Sequence, residues 1–142
     1  MRAALDARPA SRRALWAGRV LSGLVVLFLV LDAAIKIIFV RDVPEASAHL
    51  GWPPQLAAPL GCILLACTLL YAWPRTAVLG AVLLTGYLGG AVATHLRIGS
   101  PLLSHVLFGV YLGAVLWSGL LLREPRLRVL LLGPRHASGA QP

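Results

Sequence analysis

The sequence predicts an all-α integral membrane protein, a bundle of four transmembrane helices with both termini on the inner side. Three observations predict this fold class: an apolar composition, four long apolar runs, and basic residues concentrated outside those runs. Hydrophobic residues make up 58% of the 142 residues and charged residues only 13%, with a mean hydropathy of +0.81. Since a soluble domain usually carries about 25% charged residues, the chain has too little polar surface to fold as a water-soluble globule.

The four apolar runs are the predicted transmembrane helices. They comprise residues 20–40, 56–73, 76–94 and 102–122. Each approaches the roughly 20 residues that a helix needs to cross the hydrocarbon core. Lipid offers no hydrogen-bond partner to the backbone, so each run should be helical. The chain then divides into a basic N-terminal tail, a four-helix transmembrane domain and a basic C-terminal tail, at residues 1–19, 20–122 and 123–142.

The positions of the arginines predict the orientation in the membrane. If the N-terminus is inside, only Arg41 and Arg97 lie in the outer loops. The other ten lie in the two tails and the inner loop, namely Arg2, Arg8, Arg12, Arg13, Arg19, Arg75, Arg123, Arg126, Arg128 and Arg135. This bias is the positive-inside pattern, and it predicts that both termini are cytoplasmic.

The net charge of +8 does not indicate a nucleic-acid partner. The basic residues flank the apolar runs, where such residues meet anionic lipid head groups. Trp16 is the one aromatic residue among the arginines of the two tails, which is too few for a base-stacking surface. Membrane lipids are therefore the expected partners of the two tails.

The first apolar run has some features of a secretory signal peptide, because basic residues precede it and Ala46-Ser47-Ala48 follows it. A signal peptide has an uncharged apolar region of about 7–15 residues. The run at 20–40 is longer and contains Asp32 and Lys36. We therefore expect it to remain in the protein as a transmembrane helix.

Two outer connections carry helix-start patterns. Asp42 and Glu45 have the spacing of a capping box, which predicts a short surface helix over residues 43–50. Ser100 followed by Pro101 predicts the cap and first turn of the fourth transmembrane helix.

Glycine pairs predict a close contact between the third and fourth helices. Gly86 and Gly90 are four residues apart, as are Gly109 and Gly113. Such pairs allow helix backbones to approach closely in lipid. A chain reversal near residue 99 would bring the two pairs to similar depth, so we expect them to meet. The alternative is that glycine is simply frequent in membrane helices.

Four ionisable residues form the candidate polar site, because ionisable groups inside a membrane are costly and often functional. Asp32 and Lys36 share one face of the first helix in the favourable acid-before-base order. His95 and His105 bracket an outer loop at similar depth. We expect all four near the outer edge of the membrane, in a pocket that opens outwards. The alternatives are an ion pair that only fixes the rotation of its helix, and two histidines bonded to loop carbonyls.

The residue types limit the chemistry of this site. Histidines suit proton transfer or hydrogen bonding to a quinone-like head group. Two histidines are too few for a metal site, and no glycine-rich nucleotide loop is present. Cys62 and Cys67 point to different sides of one helix and form no Cys-x-x-Cys redox motif. We expect no metal and no nucleotide, and a quinone is the candidate ligand.

Several segments resemble the DoxX-like family of membrane proteins. They are DAAIK (Asp32–Lys36), HLGWP (His49–Pro53), GYLGGAVATHLRIGSPLLSH (Gly86–His105) and VLFGVYLGAVLWSGLLLREPRLR (Val106–Arg128), and the resemblance extends over about residues 15–132. It implies a four-helix protein of the bacterial inner membrane. Some relatives are linked to quinone-coupled sulfur oxidation or to membrane-associated oxidoreductase assemblies. The chain lacks the cysteine pair that a direct thiol role would need.

Two functions remain open at the level of sequence. The favoured one is a non-catalytic accessory or membrane-anchoring subunit that binds a lipid, a quinone or a partner helix, because the chain encodes no electron carrier. The alternative is the membrane subunit of a quinone-linked oxidoreductase, with a redox protein as partner and the four ionisable residues handling protons. A proton-coupled transporter is less favoured, since no internal repeat or broken helix is evident.

Overall fold

A computed structural model describes residues 11–38 and 49–133, and it confirms the predicted all-α bundle. Five α-helices are present in these ranges, and no strand: α1 (Arg12–Ile38), α2 (Ala57–Ala72), α3 (Ala77–Arg97), α4 (Phe108–Arg123) and α5 (Pro125–Leu132). A 3₁₀ turn at Pro54–Leu56 leads into α2, and a π-helical turn at Leu102–Val106 leads into α4. The short helix predicted over residues 43–50 lies outside the described residues except for its last two positions.

Three of the helical segments are long and apolar enough to cross a membrane. They are Arg12–Ile38, Ala77–Arg97 and the continuous segment Leu102–Arg123. The fourth, α2, has 16 residues and spans only about 24 Å at 1.5 Å per residue. The 3₁₀ turn before it adds about 6 Å. Together they match the roughly 30 Å of a hydrocarbon core.

The four long helices form an antiparallel ring in which each packs against its two neighbours along the chain and α4 closes against α1. Close contacts show which helix ends lie side by side. Gly61 near the start of α2 lies against Ala33 in the second half of α1, and Gly119 near the end of α4 lies against Gly18 near the start of α1.

This ring has two ends that differ in their side chains. We call the end with the start of α1, the α2–α3 turn and the end of α4 the basic end, because it carries Arg12, Arg19, Arg75 and Arg123. The opposite end carries His95 at the end of α3 and His105 in the π-helical turn before α4. We call it the histidine end.

The expected meeting of the two glycine pairs does not occur. A Cβ on Gly109 would lie 3.0 Å from the Val92 side chain and 3.1 Å from the Leu88 carbonyl oxygen, so α4 does present this glycine to α3. A Cβ on Gly86 or Gly90 would meet nothing within 4 Å. Positions 86 and 88 lie about 200° apart around a helix. Because α3 faces α4 with Leu88 and Val92, its own glycine pair points elsewhere.

Glycine instead brings the helices together at positions outside the two predicted pairs. A Cβ on Gly18 would lie 2.9 Å from the Gly119 carbonyl oxygen, which shows a close approach of α1 and α4. A Cβ on Gly80 would collide with the backbone of Tyr71, which shows an equally close approach of α2 and α3. Both contacts lie at the basic end.

Tyr71 joins three helices at this end. Its side chain is fully buried, and its hydroxyl lies 2.9 Å from both the Leu116 carbonyl oxygen of α4 and the Ser22 hydroxyl of α1. A tyrosine hydroxyl has a single proton. It donates this proton to Leu116, so Ser22 donates to Tyr71. Arg123 adds a bond of 3.0 Å from Nη2 to the Tyr71 carbonyl and places its guanidinium 4.9 Å from the ring centroid.

We expect Tyr71→Phe to lower the free energy of unfolding by about 1–2 kcal/mol, because two interhelical hydrogen bonds are lost and each is worth roughly 0.6–1.7 kcal/mol inside a membrane. Reversible unfolding in mixed detergent micelles measures this change. Tyr111, on the exposed side of α4, provides the control. Equal losses of stability in Tyr71→Phe and Tyr111→Phe would contradict the proposed importance of the network.

Candidate functional site

A cavity of about 470 Å³ lies at the histidine end of the bundle. The four ionisable residues selected from the sequence, Asp32, Lys36, His95 and His105, all contribute to its lining. Residues of α1, α3 and α4 form most of the wall, with Leu60 from α2. Leu50 and Trp52, in the segment before α2, complete it.

Asp32 and Lys36 form an ion pair on the wall that α1 provides. The Lys36 Nζ atom lies 2.5 Å from Asp32 Oδ1, and the side chains are 28% and 36% exposed for Lys36 and Asp32 respectively. Pairing lowers the cost of holding two charges at membrane depth. The partial exposure means that the pair is not sealed within the protein.

His95 and His105 approach each other across the α3–α4 connection. Their ring centroids are 5.8 Å apart. The Nδ1 atom of His95 lies 3.1 Å from the Ser100 hydroxyl, and Nδ1 of His105 lies 2.8 Å from the Ser104 hydroxyl. Neither Nε2 atom has a hydrogen-bond partner among residues 11–38 and 49–133. Since a serine hydroxyl can either donate or accept, each imidazole can present Nε2 to a ligand as donor or as acceptor.

The chain around Ser100 differs from the predicted helix start. Ser100 does not cap the fourth helix, because its hydroxyl is engaged by His95. A π-helical turn follows Pro101, with hydrogen bonds from Val106 N to the Pro101 oxygen and from Leu107 N to the Leu102 oxygen. Such wide turns occur frequently at functional sites. Here the turn carries His105 into the cavity wall before regular α-helix begins at Phe108.

The ionisable groups of the cavity lie at the histidine end, beside the apolar Leu50 and Trp52, and the part nearer the middle of the bundle is mostly apolar. Along α1, Phe28 and Leu29 precede the ion pair and lie nearer the middle of the bundle. Along α4, Phe108 and Leu112 follow His105 and also lie nearer the middle of the bundle. The Phe28 and Phe108 rings contact each other, with centroids 5.5 Å apart. The cavity therefore combines a cluster of ionisable groups at the histidine end with a mostly apolar inner part.

Gly86 and Gly90 also line this cavity. Both are accessible, and a side chain at either position would enter open space. The glycines predicted to pack helices together therefore contribute to open volume instead. A spacing of four residues is compatible with packing and with lining a cavity. The two roles are distinguished only by the structure, in which Leu88 and Val92 are the residues of α3 that face α4.

Several other residues line the cavity without having been predicted from the sequence, among them Tyr87, Trp52 and Phe28. Spacing offered a signal for two of them. Phe28 precedes Asp32 by four residues, and Tyr87 lies two turns before His95, so each shares a helix face with a selected residue. Trp52 lies outside the helices and carried no such signal.

The described residues contain no group of three or more His, Cys, Asp or Glu side chains that could hold a metal ion. Both cysteines are free thiols: Cys62 is exposed and Cys67 is buried. The arrangement can therefore donate and accept hydrogen bonds and exchange protons at the histidine end. It offers no ligand cage of its own for a metal ion in this part of the chain.

Residues 20–119 match the DoxX-like family. No curated protein and no solved structure matches the chain. The matched range extends from α1 through most of α4, and it includes the ion pair, both histidines and the glycines of the cavity. It covers well over half of the 142 residues. The chain is therefore a multi-pass membrane protein that belongs to the DoxX-like family.

Proposed function

We propose that the protein is a non-catalytic accessory or membrane-anchoring subunit of the bacterial cytoplasmic membrane, and that it binds an amphipathic ligand, a quinone or a lipid, in the cavity at the histidine end. The observation that carries this proposal is the clustering of Asp32, Lys36, His95 and His105 in the lining of one cavity. Pockets for small molecules usually measure about 300–1,000 Å³ and combine apolar walls with a few polar groups. The cavity has both properties.

The amphipathic wall indicates how such a ligand would lie. A polar head group would reach the imidazole Nε2 atoms, while an apolar tail would contact Phe28, Leu29 and Leu112. A partner helix is a weaker candidate occupant, because a helix is about 10 Å across and would have to displace the wall formed by Trp52.

The second candidate function is the membrane subunit of a quinone-linked oxidoreductase. The separation of 5.8 Å between the His95 and His105 rings favours it, since two imidazoles at this distance can contact one head group and exchange its protons. Since the sequence contains no Cys-x-x-Cys redox motif, we propose that a redox partner protein would exchange electrons with the quinone in this case. The accessory role requires no such partner.

The first test measures quinone binding. Decylubiquinone titrated into the protein in nanodiscs should quench the fluorescence of Trp52, which lines the cavity. We expect His95→Ala and His105→Ala each to weaken binding about fivefold, the effect of losing one hydrogen bond of roughly 1 kcal/mol. His49→Ala removes an exposed histidine that does not line the cavity and serves as the control.

Mass spectrometry of lipids that co-purify with the protein separates the two ligand classes. Retention of a quinone, lost in both histidine variants, supports the quinone proposal. Retention of a phospholipid alone would assign the cavity to lipid. If neither compound is retained and decylubiquinone binds all variants equally, the ligand-binding proposal is wrong.

A second test fills the cavity. We expect Gly86→Leu and Gly90→Leu to weaken decylubiquinone binding by at least about tenfold, or ~1.4 kcal/mol, because a side chain at either position enters the ligand volume. Gly89→Leu is the matched control: a Cβ there also meets nothing within 4 Å, but Gly89 does not line the cavity. Equal weakening by all three substitutions would place the ligand elsewhere.

The basic end is proposed to face the cytoplasm, as the positive-inside pattern predicts. Cysteine labelling of whole cells tests this orientation in a chain whose native cysteines are replaced by alanine. We expect an impermeant maleimide to label His49→Cys at the histidine end from the periplasm and to leave Trp73→Cys at the basic end unlabelled until the cells are opened. The reverse pattern would place the cavity on the cytoplasmic side.

A further inference from the structure

The segment between His49 and Pro53 forms part of the cavity wall without belonging to a transmembrane helix. Leu50 and Trp52 both line the cavity. Gly51 between them has a φ of +69°, a left-handed conformation that glycine adopts without strain. The position of Leu50 and Trp52 in the cavity wall therefore depends on the turn at Gly51 and on the contacts that hold this turn.

Arg97, the last residue of α3, contacts this turn. Its Nη2 atom donates a hydrogen bond of 2.7 Å to the Leu50 carbonyl oxygen. A Cβ on Gly51 would lie 2.9 Å from the same nitrogen, so the guanidinium lies directly against the Gly51 backbone. Within the described part of the chain, this is the one hydrogen bond that joins residues 50–52 to a transmembrane helix.

We infer that Arg97 is a positioning residue for the cavity: it holds Leu50 and Trp52 as the outer wall and thereby slows the exit of a bound ligand. Arg97 lies two residues after His95, so one helix end carries both a polar group of the cavity and the link to its wall. A guanidinium suits this position because its permanent positive charge strengthens the hydrogen bond that it donates to the Leu50 carbonyl oxygen. Only the effect on ligand exit rests on the proposed function.

Trp52 reports the position of the wall without any ligand. In a protein whose other tryptophans, Trp16, Trp73 and Trp117, are replaced by phenylalanine, quenching by acrylamide measures the exposure of Trp52. The side chain is 38% exposed when the wall is in place. We expect Arg97→Gln to raise the quenching constant about twofold, since release of the turn is a local opening that exposes the indole. Arg97→Lys keeps the charge without the planar group and should raise it less.

Two glycine substitutions test the same contact from the side of the turn. Gly51→Ala places a Cβ against the guanidinium and also strains a positive φ. Gly99 has a φ of +70° as well, but a Cβ there meets nothing within 4 Å. Gly99→Ala therefore reproduces the strain without the collision. We expect Gly51→Ala to match Arg97→Gln in the quenching experiment and Gly99→Ala to resemble the parent protein.

Release of decylubiquinone, followed by stopped-flow fluorescence, tests the consequence for the ligand. We expect dissociation to be about tenfold faster in Arg97→Gln and Gly51→Ala, which corresponds to ~1.4 kcal/mol. Unchanged quenching in both variants would overturn the role of Arg97 in the wall. Raised quenching with unchanged dissociation would overturn its role in ligand exit. If the parent protein binds no quinone, the proposed function fails, and the quenching results still decide whether Arg97 holds the wall.

Discussion

The close backbone contacts of glycine determine where this bundle is closed and where it is open. At the basic end, Gly18 and Gly119 bring α1 to α4, and Gly80 brings α3 to α2. At the histidine end the pairing changes, because Gly61 brings α2 to α1 and Gly109 brings α4 to α3. The helices there form two tight pairs, α1 with α2 and α3 with α4. The cavity lies between these pairs, with Asp32 and Lys36 on one side and His95 on the other.

The hydrogen bonds of Tyr71 fix the helices to one another at the basic end, where the bundle is closed. The network joins α1, α2 and α4 around one buried side chain, and the carbonyl of Tyr71 is held by Arg123. In lipid, helices gain little from hydrophobic association, so packing and interhelical hydrogen bonds supply most of the specificity. A bundle fixed in this way at its basic end can hold volume at the other end without collapsing onto it.

The sequence was sufficient to predict the helical bundle and the grouping of the ionisable residues at one end of it, because both follow from hydropathy along the chain. It was not sufficient to predict which face of each helix points inward. A lipid-facing leucine and a core leucine are equally apolar, so Leu88 and Leu83 look alike in the sequence although the first is buried and the second is exposed. For the same reason Gly86 and Gly90 could be assigned to packing when they line a cavity. The bond between Ser22 and Tyr71 joins residues 49 positions apart, and no local pattern indicates it.

The distribution of charge in the cavity bears on what it can bind. Lys36 is paired with Asp32, so the pair carries no net charge, although the ammonium group keeps two further N–H donors. A head group with a full negative charge would approach Asp32 as well as Lys36, so repulsion by the carboxylate offsets much of the attraction of the ammonium group. The imidazole Nε2 atoms can be reached without this penalty and can either donate or accept. Because the ion pair offers an anion little net attraction, we propose a neutral head group with carbonyl or hydroxyl groups, such as that of a quinone, ahead of an anionic phosphate.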